Sequence, residues 1–483
     1  MSDPSLPHMT NIKELVETGP IAADKAKRAG GRRARMAAGQ AKVSNAPVQR
    51  NLPPRLVLGP EAAGQIHQQA LKILAETGVE MRHARALQAW QEAGAQVDAT
   101  RVRISPELME SLLRKIPRTI SFGPYSLDDH TSLFAPSLGA RHVIDTDGIR
   151  HSASLELAKD GLLLISDRAE LHFTAGNVLA WADGESMGEA LAEALQLSSK
   201  PMMVWLQNEA QADVVLALKG DAILLAQVRA KAPLLWEEAA LACLMKMAAA
   251  GQPVMVTGQA LAGASSPADM AASLAMMQAG IFAGLGLTQL MQEGSAHLAG
   301  QYVQAIDMRS GAPMAGNAEA SLMRLGFGEL CRHAGLFFAV SGALSSAKTS
   351  DAQAGFEAAH LMQAAIDCGA HIIFDVAGGL ENGDCFSFSK FMLDCDQLEH
   401  WRHYAQGLSM QGFAQACDVI SEVGPLQHFL GTAHTLENFR HVFHVPQMFD
   451  FGPFVQWEAE GARDADQRGR EMAFYRLQDL KKP

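Results

Sequence analysis

The chain has 483 residues, 48% of them apolar, and a formal net charge of −12. That length accommodates one large domain with additions, or two to three ordinary ones, and the apolar share supplies a sizeable core. The acidic balance argues against general nucleic-acid binding by the body of the protein.

The six cysteines (Cys243, Cys331, Cys368, Cys385, Cys395, Cys417) form no CxxC pair and no disulfide framework. They read as reduced thiols of a cytoplasmic protein. Cys368 and His371 have a spacing found among metal ligands, but two residues do not make a site, and no metal is expected. The opening residues lack the apolar core of a signal peptide. The longest apolar stretch, 270–291, carries Gln278 and Gln289. It lies between two loops and reads as a buried helix rather than a membrane span.

In chain order, residues 1–51 read as a basic flexible arm. The run "KAKRAGGRRARMAAGQAK" (25–42) is basic, and no acid occurs between Asp24 and Glu61. Such a composition buries too little apolar surface to offset ordering, so the arm is expected to be dispensable for folding. Residues 52–139 read as an N-terminal extension of helices and a short strand. There, "PEAAGQIHQQALKILAETG" has apolar residues at helical spacing and ends on Gly78. A further helix opens with Ser105 as N-cap and Pro106 at its first position.

From 140 to 395 short apolar runs alternate with helical stretches. The runs lie near 140–144, 171–175, 202–206, 222–228, 253–257, 295–299, 336–340 and 371–375. Eight buried strands alternating with helices predict an α/β fold of the (β/α)8 TIM-barrel type. A doubly wound open sheet would also alternate, but no GxGxxG follows an early strand. Residues 396–483 read as a C-terminal helix, about 399–421, and a loop-rich segment. A barrel keeps its site at the C-terminal ends of its strands. Here those loops are rich in Gly, as sharp turns and close approach to a ligand require. The loop after the seventh strand, "SGALSSAK", holds Leu344, which has no reactive group.

The loops and their order resemble the trimethylamine methyltransferase (MttB-type) family of corrinoid-dependent methyltransferases. The likeness runs from about residue 60 to 460. It is carried by "ILAETGVE", "QPVMVTGQALAGASSP", "GLGLTQLMQEG", "VSGALSSAKTSDAQAGFE", "GGLENGDCFSF" and "HFLGTAHTLENFR". The family fold is a TIM barrel. In its trimethylamine-using members the loop after the seventh strand carries pyrrolysine, and the resemblance places Leu344 at that position. Gly280 and Ser389 fall where acidic residues are expected. The resemblance therefore implies a member without pyrrolysine. It also implies a methyl acceptor that is the Co(I) corrinoid of a separate partner protein, with no cofactor held tightly by this chain. A homo-oligomer is expected.

A neutral tertiary amine is a poor methyl donor, because its leaving group would be an amide anion. A quaternary ammonium leaves as a neutral amine, so positioning and desolvation suffice. Aromatic faces recognise such a cation, and Trp205, Tyr302, Phe386 and Phe388 are the candidates, with Gln301 beside Tyr302. Glu319 and Glu381 are the loop carboxylates. His297, on the sixth strand, reads as a core residue. Arg229, followed by Lys231, suits the carboxylate of a betaine such as glycine betaine. His434 is a candidate for reaching over the mouth from the C-terminal segment. Two other readings stand beside this one. One is a metal-dependent lyase or hydrolase on a barrel; the other is a non-catalytic binding protein that kept the fold.

Overall fold

Eight apolar runs form one parallel sheet that closes on itself. In chain order they are β1 (Thr131–Phe134), β2 (Thr174–Ala175), β3 (Met202–Trp205), β4 (Leu224–Ala230), β5 (Val254–Ala262), β6 (His297–Ile306), β7 (Phe338–Ser341) and β8 (Ile372–Phe374). From β2 to β8 each strand pairs in parallel with the next, and β8 pairs with β1 through Leu133 and Ile372. The seam between β1 and β2 is closed by His172 N donating to Phe134 O at 2.9 Å, and further along by Gly139 N donating to Asn177 O at 3.0 Å. A closed sheet with both faces covered leaves no edge, which is why these strands are almost wholly apolar. The computed structural model describes residues 45–181, 184–222 and 224–482. The basic run at 25–42 lies outside the described residues.

The helices that follow the strands are α1 (Leu155–Ser166), α2 (Gly184–Leu197), α3 (Glu209–Leu218), α4 (Glu238–Ala249), α5 (Met270–Met291), α6 (Ala318–His333), α7 (Ala352–Asp367) and α8 (Phe388–Ala405). Asn208, Asp269, Asn317, Asp351 and Ser387 each accept a hydrogen bond from a first-turn backbone N–H, so each of these helices starts at a defined residue on the mouth face. Helix α5 is long and apolar enough to cross a membrane, but the fold buries most of it. The N-terminal extension covers its outer face: a Cβ at Gly286 would strike Trp90 and Met109.

Four features differ from the sequence expectation. The first barrel strand is Thr131–Phe134, not the run at 140–144; His142–Ile144 instead joins a small outer sheet with Arg150–Ser152 and Cys385–Ser387. The true first strand is short, and Pro136 follows two residues beyond its end, so it carries little strand signal. Second, residues 46–51 belong to the fold: Val48–Gln49 pairs antiparallel with β1, and Val48 is fully buried. Third, the helix expected over 399–421 is two helices, Phe388–Ala405 and Phe413–Val423. They are separated by a turn in which Gly407 and Gly412 both adopt positive φ. Fourth, the C-terminal region is largely helical, and its last helix, Ala465–Leu480, packs on α8 through Ser389 and on α1 through Arg476 and Asp167.

Candidate functional site

At the C-terminal ends of β3, β4, β6 and β8 the barrel gathers one group of polar and aromatic side chains. Trp205 ends β3, and its ring lies on the backbone of Gly139, where an added Cβ would sit 2.1 Å from the indole. Gly139 has φ 74°, so both the turn and the close approach need glycine there. Gln227 and Arg229 lie on β4, and the Arg229 Nη2 donates to Gln227 Oε1 at 3.0 Å. The guanidinium carbon is 4.1 Å from the Trp205 ring centroid and 4.5 Å from that of Tyr302 on β6. Two aromatic faces therefore hold this cation, an arrangement that fixes its direction.

Tyr302 donates through its hydroxyl to Asp375, the first residue beyond β8. Asp375 is buried and has φ 53°. Aspartate tolerates that left-handed conformation better than most residues, and strain of this kind concentrates at functional sites. Burial pushes its carboxyl up to about 6, against the Tyr302 hydroxyl and the Arg229 charge, which hold it down. Burial, and then the neighbouring Asp375, push the Tyr302 phenol well up. A second buried cation, Arg324 of α6, donates to the Ser341 carbonyl at 3.0 Å and to its hydroxyl at 2.6 Å, tying α6 to β7. Burial lowers its pKa to about 10, so it stays cationic at neutral pH.

Two buried donors of this group have no acceptor, Gln227 Nε2 and Arg229 Nε. The Gln227 oxygen is already engaged by Arg229. Gln301, expected at the site, pairs across the sheet with Gly258 beneath α5 and so faces the helix layer, opposite to Tyr302. The site thus offers N–H groups and a guanidinium to an acceptor, beside one buried carboxylate and two aromatic rings. Such a set fits a zwitterion better than a neutral amine.

Leu344 is buried and packs with Ala315, Ala320 and Leu361, with Tyr302 against the same cluster. Gly379 makes room for it, since a Cβ there would come within 2.7 Å of the leucine Cδ2. The loop is held on both sides: Glu357 accepts from Ser345 Oγ and Ser346 N at 2.6 Å each, and Asn382 N donates to Ser345 O at 2.8 Å. Lys390 donates to the carbonyl of Ala343 at 2.8 Å and pairs with Asp394 at 2.6 Å, out of reach of solvent. Leu344 is therefore a fixed apolar wall beside Tyr302.

The other expected residues are placed elsewhere. Glu381 is clamped by Arg150 in a two-pronged ion pair of 2.8 and 2.9 Å, which holds its carboxyl below the usual range. Glu319 is exposed in the first turn of α6. Phe386 and Phe388 are core residues; the Phe386 ring packs on Phe391 and over Gly378. His434 is half-buried in the C-terminal helix Ala433–Val442, and its carbonyl accepts from Asn438 within that helix. Lys231 is engaged by Glu237 at 2.6 Å. Gly280 packs toward Ala230, one residue past Arg229, whereas the Ser389 hydroxyl turns to Asp466 of the C-terminal region. Trp205 and Tyr302 do meet at the mouth, but their faces hold Arg229 rather than standing open. Reading the sequence missed Asp375, Gln227 and Arg324. The signal for Asp375 was its place directly after an apolar strand of a barrel; nothing in the sequence marked the other two.

His297 is a core residue, accepting from Val254 N at 3.1 Å and bonded to Ser295 Oγ at 2.6 Å. His371 accepts from Phe338 N at 3.3 Å, and the Cys368 thiol donates to Ala365 O, so "CGAH" is a structural pair. Among the described residues no group of three or more His, Cys, Asp or Glu side chains is arranged to hold a metal ion. Two clefts, of about 530 and 600 Å³, lie off the Arg229 group; the first runs between Arg150, Lys348, Glu381 and Arg470. The Arg229 group is the candidate site because, among the described residues, the barrel strands converge there on unpaired donors.

The family model for trimethylamine methyltransferase (MTTB) matches residues 27–483. The chain belongs to the trimethylamine methyltransferase family. Among characterised members, the glycine betaine methyltransferase of Desulfitobacterium hafniense is 28% identical over 429 residues, 85% of this chain and 90% of its own length. Trimethylamine methyltransferase MttB1 of Methanosarcina mazei is 30% identical over 221 residues, 46% of this chain and 44% of its own. The crystal structure of the Methanosarcina barkeri monomethylamine methyltransferase MtmB superposes with a TM-score of 0.52 at 9% identity, covering 89% of each chain, which shows a shared fold.

Proposed function

We propose that this member of the family transfers a methyl group from a betaine-like quaternary ammonium to the Co(I) corrinoid of a partner protein. The observation that carries the reading is the pair of buried unpaired donors at Arg229, its own Nε and the Gln227 Nε2. A carboxylate would satisfy them, with Arg229 gripping it through two hydrogen bonds. The buried Asp375 carboxylate gives the ammonium end a negative neighbour. A substrate held at both ends presents one N-methyl group in a fixed direction.

The C–N bond breaks with both electrons passing to nitrogen, and the tertiary amine leaves neutral. No proton is supplied, so Leu344 at the position that the resemblance gives to pyrrolysine is compatible with turnover. The corrinoid is the methyl acceptor, a second substrate brought to the mouth. A cytoplasmic location and a homo-oligomer remain parts of this reading; the first is supported by six cysteines that are all unpaired.

The test mixes the protein with a Co(I) corrinoid protein and a panel of N-methyl compounds, following corrinoid absorbance. Betaines are expected to methylate it and free trimethylamine to do so poorly. Faster methylation from trimethylamine than from every betaine would overturn the reading.

A further inference from the structure

Between α8 and the last helix, the chain exposes a run of apolar side chains unlike the rest of the surface of the described residues. Residues 408–455 hold the helices Phe413–Val423 and Ala433–Val442 and the start of Phe454–Ala459, and none of the three contains a buried residue. Seven of the chain's 20 phenylalanines fall in this stretch. They are 39–71% exposed, alongside Leu426 at 101% and Val455 at 75%. At roughly 150–250 Å² per phenylalanine, the seven alone leave on the order of 600–900 Å² of apolar surface open. A monomer rarely exposes more than a few hundred Å² in one patch, and a stable dimer needs about 800 Å² per partner.

We propose that residues 408–455 form an interface with a second copy of this chain. The inference rests on the homo-oligomer that belongs to the reading above and deepens it by naming the surface. Three observations favour a second copy over other occupants. First, these helices contain no buried residue; the stretch is anchored beyond them, where Met448 is buried, Asp396 accepts from Gln447 N and Met448 N at 2.9 and 3.0 Å, and His444 packs on His400. Short helices without a buried face are marginal in water, so their cover must be permanent. A protein that delivers a methyl acceptor has to come and go, and would leave the surface bare on each departure. Second, Asp418, Glu422, Glu437, Arg440 and Asp450 are the only Asp, Glu, Lys or Arg side chains in the stretch. Depletion of charge with enrichment of Phe marks the core of a protein interface, and a patch with few charges can face its own copy with little repulsion. Third, a membrane-surface helix carries Lys and Arg on its polar face, whereas this stretch has no Lys and one Arg.

The experiment uses the full chain without any corrinoid protein. Sedimentation velocity across a concentration series should show a dimer or higher oligomer. Phe443→Glu with Val455→Glu, both at exposed positions, should weaken self-association by at least 100-fold with an unchanged circular dichroism spectrum. Hydrogen exchange on the unaltered chain provides a readout that needs no variant: amides of 413–423 and 433–442 should be protected when assembled and lose that protection on dilution to monomer. A chain that is monomeric at all concentrations overturns the proposal. So does an oligomer in which these amides exchange freely, or a monomer that buries the patch only when a corrinoid protein is added.

Discussion

Arg229 separates two demands that a betaine places on its enzyme. Its guanidinium lies between Trp205 and Tyr302, and so cannot swing freely; its Nε is buried without an acceptor. Arg229→Ala should therefore cost about 1.5–3 kcal/mol in kcat/KM for a betaine, the range of a hydrogen bond to a charged group, and less for a quaternary amine without a carboxylate such as choline. Arg229→Lys should not restore the loss, because an ammonium neither stacks between rings nor forks onto a carboxylate. Equal losses for both substrates would place the carboxylate elsewhere. Asp375 makes the opposite prediction. Its ionised form faces the cation, and burial sets its pKa at about 6. Methyl transfer from any quaternary ammonium should rise with pH through about 6. Asp375→Asn should flatten that profile and lower kcat/KM at neutral pH by roughly tenfold, with or without a carboxylate on the substrate. An unchanged profile in the variant would remove Asp375 from the site. That Arg229, Trp205, Tyr302 and Leu344 lie at the barrel mouth was legible because they stand in or beside loops whose position follows from counting strands. Phe386 and Phe388 were misread, since a loop aromatic and a core aromatic look alike until packing turns one inward.

The elements themselves are tied at the far end of the barrel by histidines. His172, His297 and His371 each accept a backbone N–H from the adjacent strand through Nδ1: from Phe134 at 2.8 Å, Val254 at 3.1 Å and Phe338 at 3.3 Å. Each must be neutral at Nδ1 to do so. Burial lowers their pKa values to about 4, 3 and 4. The unfolded chain takes up a proton at each near pH 6.5, while the fold refuses it. Each histidine therefore contributes full stability above pH 6.5, and that contribution is lost as the pH falls toward its folded value. An Asn places its Oδ1 where the imidazole presents Nδ1 but does not titrate. His297→Asn should make the pH dependence of urea stability shallower by about 1.4 kcal/mol per pH unit between pH 6 and 4. Identical slopes would show that His297 is protonated in the fold. The strand count was legible because both faces of a barrel strand are apolar. The first strand was not, since four residues just ahead of a proline carry less signal than the run at 140–144, whose His142–Ile144 belongs to an outer sheet.

At the scale of the molecule, the chain ends decide how the barrel is finished, and there composition misleads. The basic character of 25–42 extends by eye to the proline pair at 53–54, but residues 46–50 staple the seam where the sheet closes. Ala46 O accepts from His172 Nε2 at 2.9 Å and from Arg402 at 2.6 Å, so one carbonyl joins β2 to α8. Val48 and Gln49 pair with Ser132 and Thr131 of β1. The buried Arg50 donates to Asp129 O at 2.9 Å and to Thr131 O at 3.2 Å. These are long-range contacts made by a few residues, so no local pattern announces them. Two truncations separate this staple from what precedes it. A chain beginning at residue 51 should unfold at a lower urea concentration than one beginning at residue 45. Burial of Val48 contributes about 1.5–3 kcal/mol, and loss of acceptors for His172 and Arg402 adds about 1–3 kcal/mol for each buried donor left unpaired. The shorter chain should also exchange the Phe134 and His172 amides faster, because those amides bond across the β1–β2 seam. Equal urea midpoints for the two truncations would mean that the barrel closes without residues 45–50.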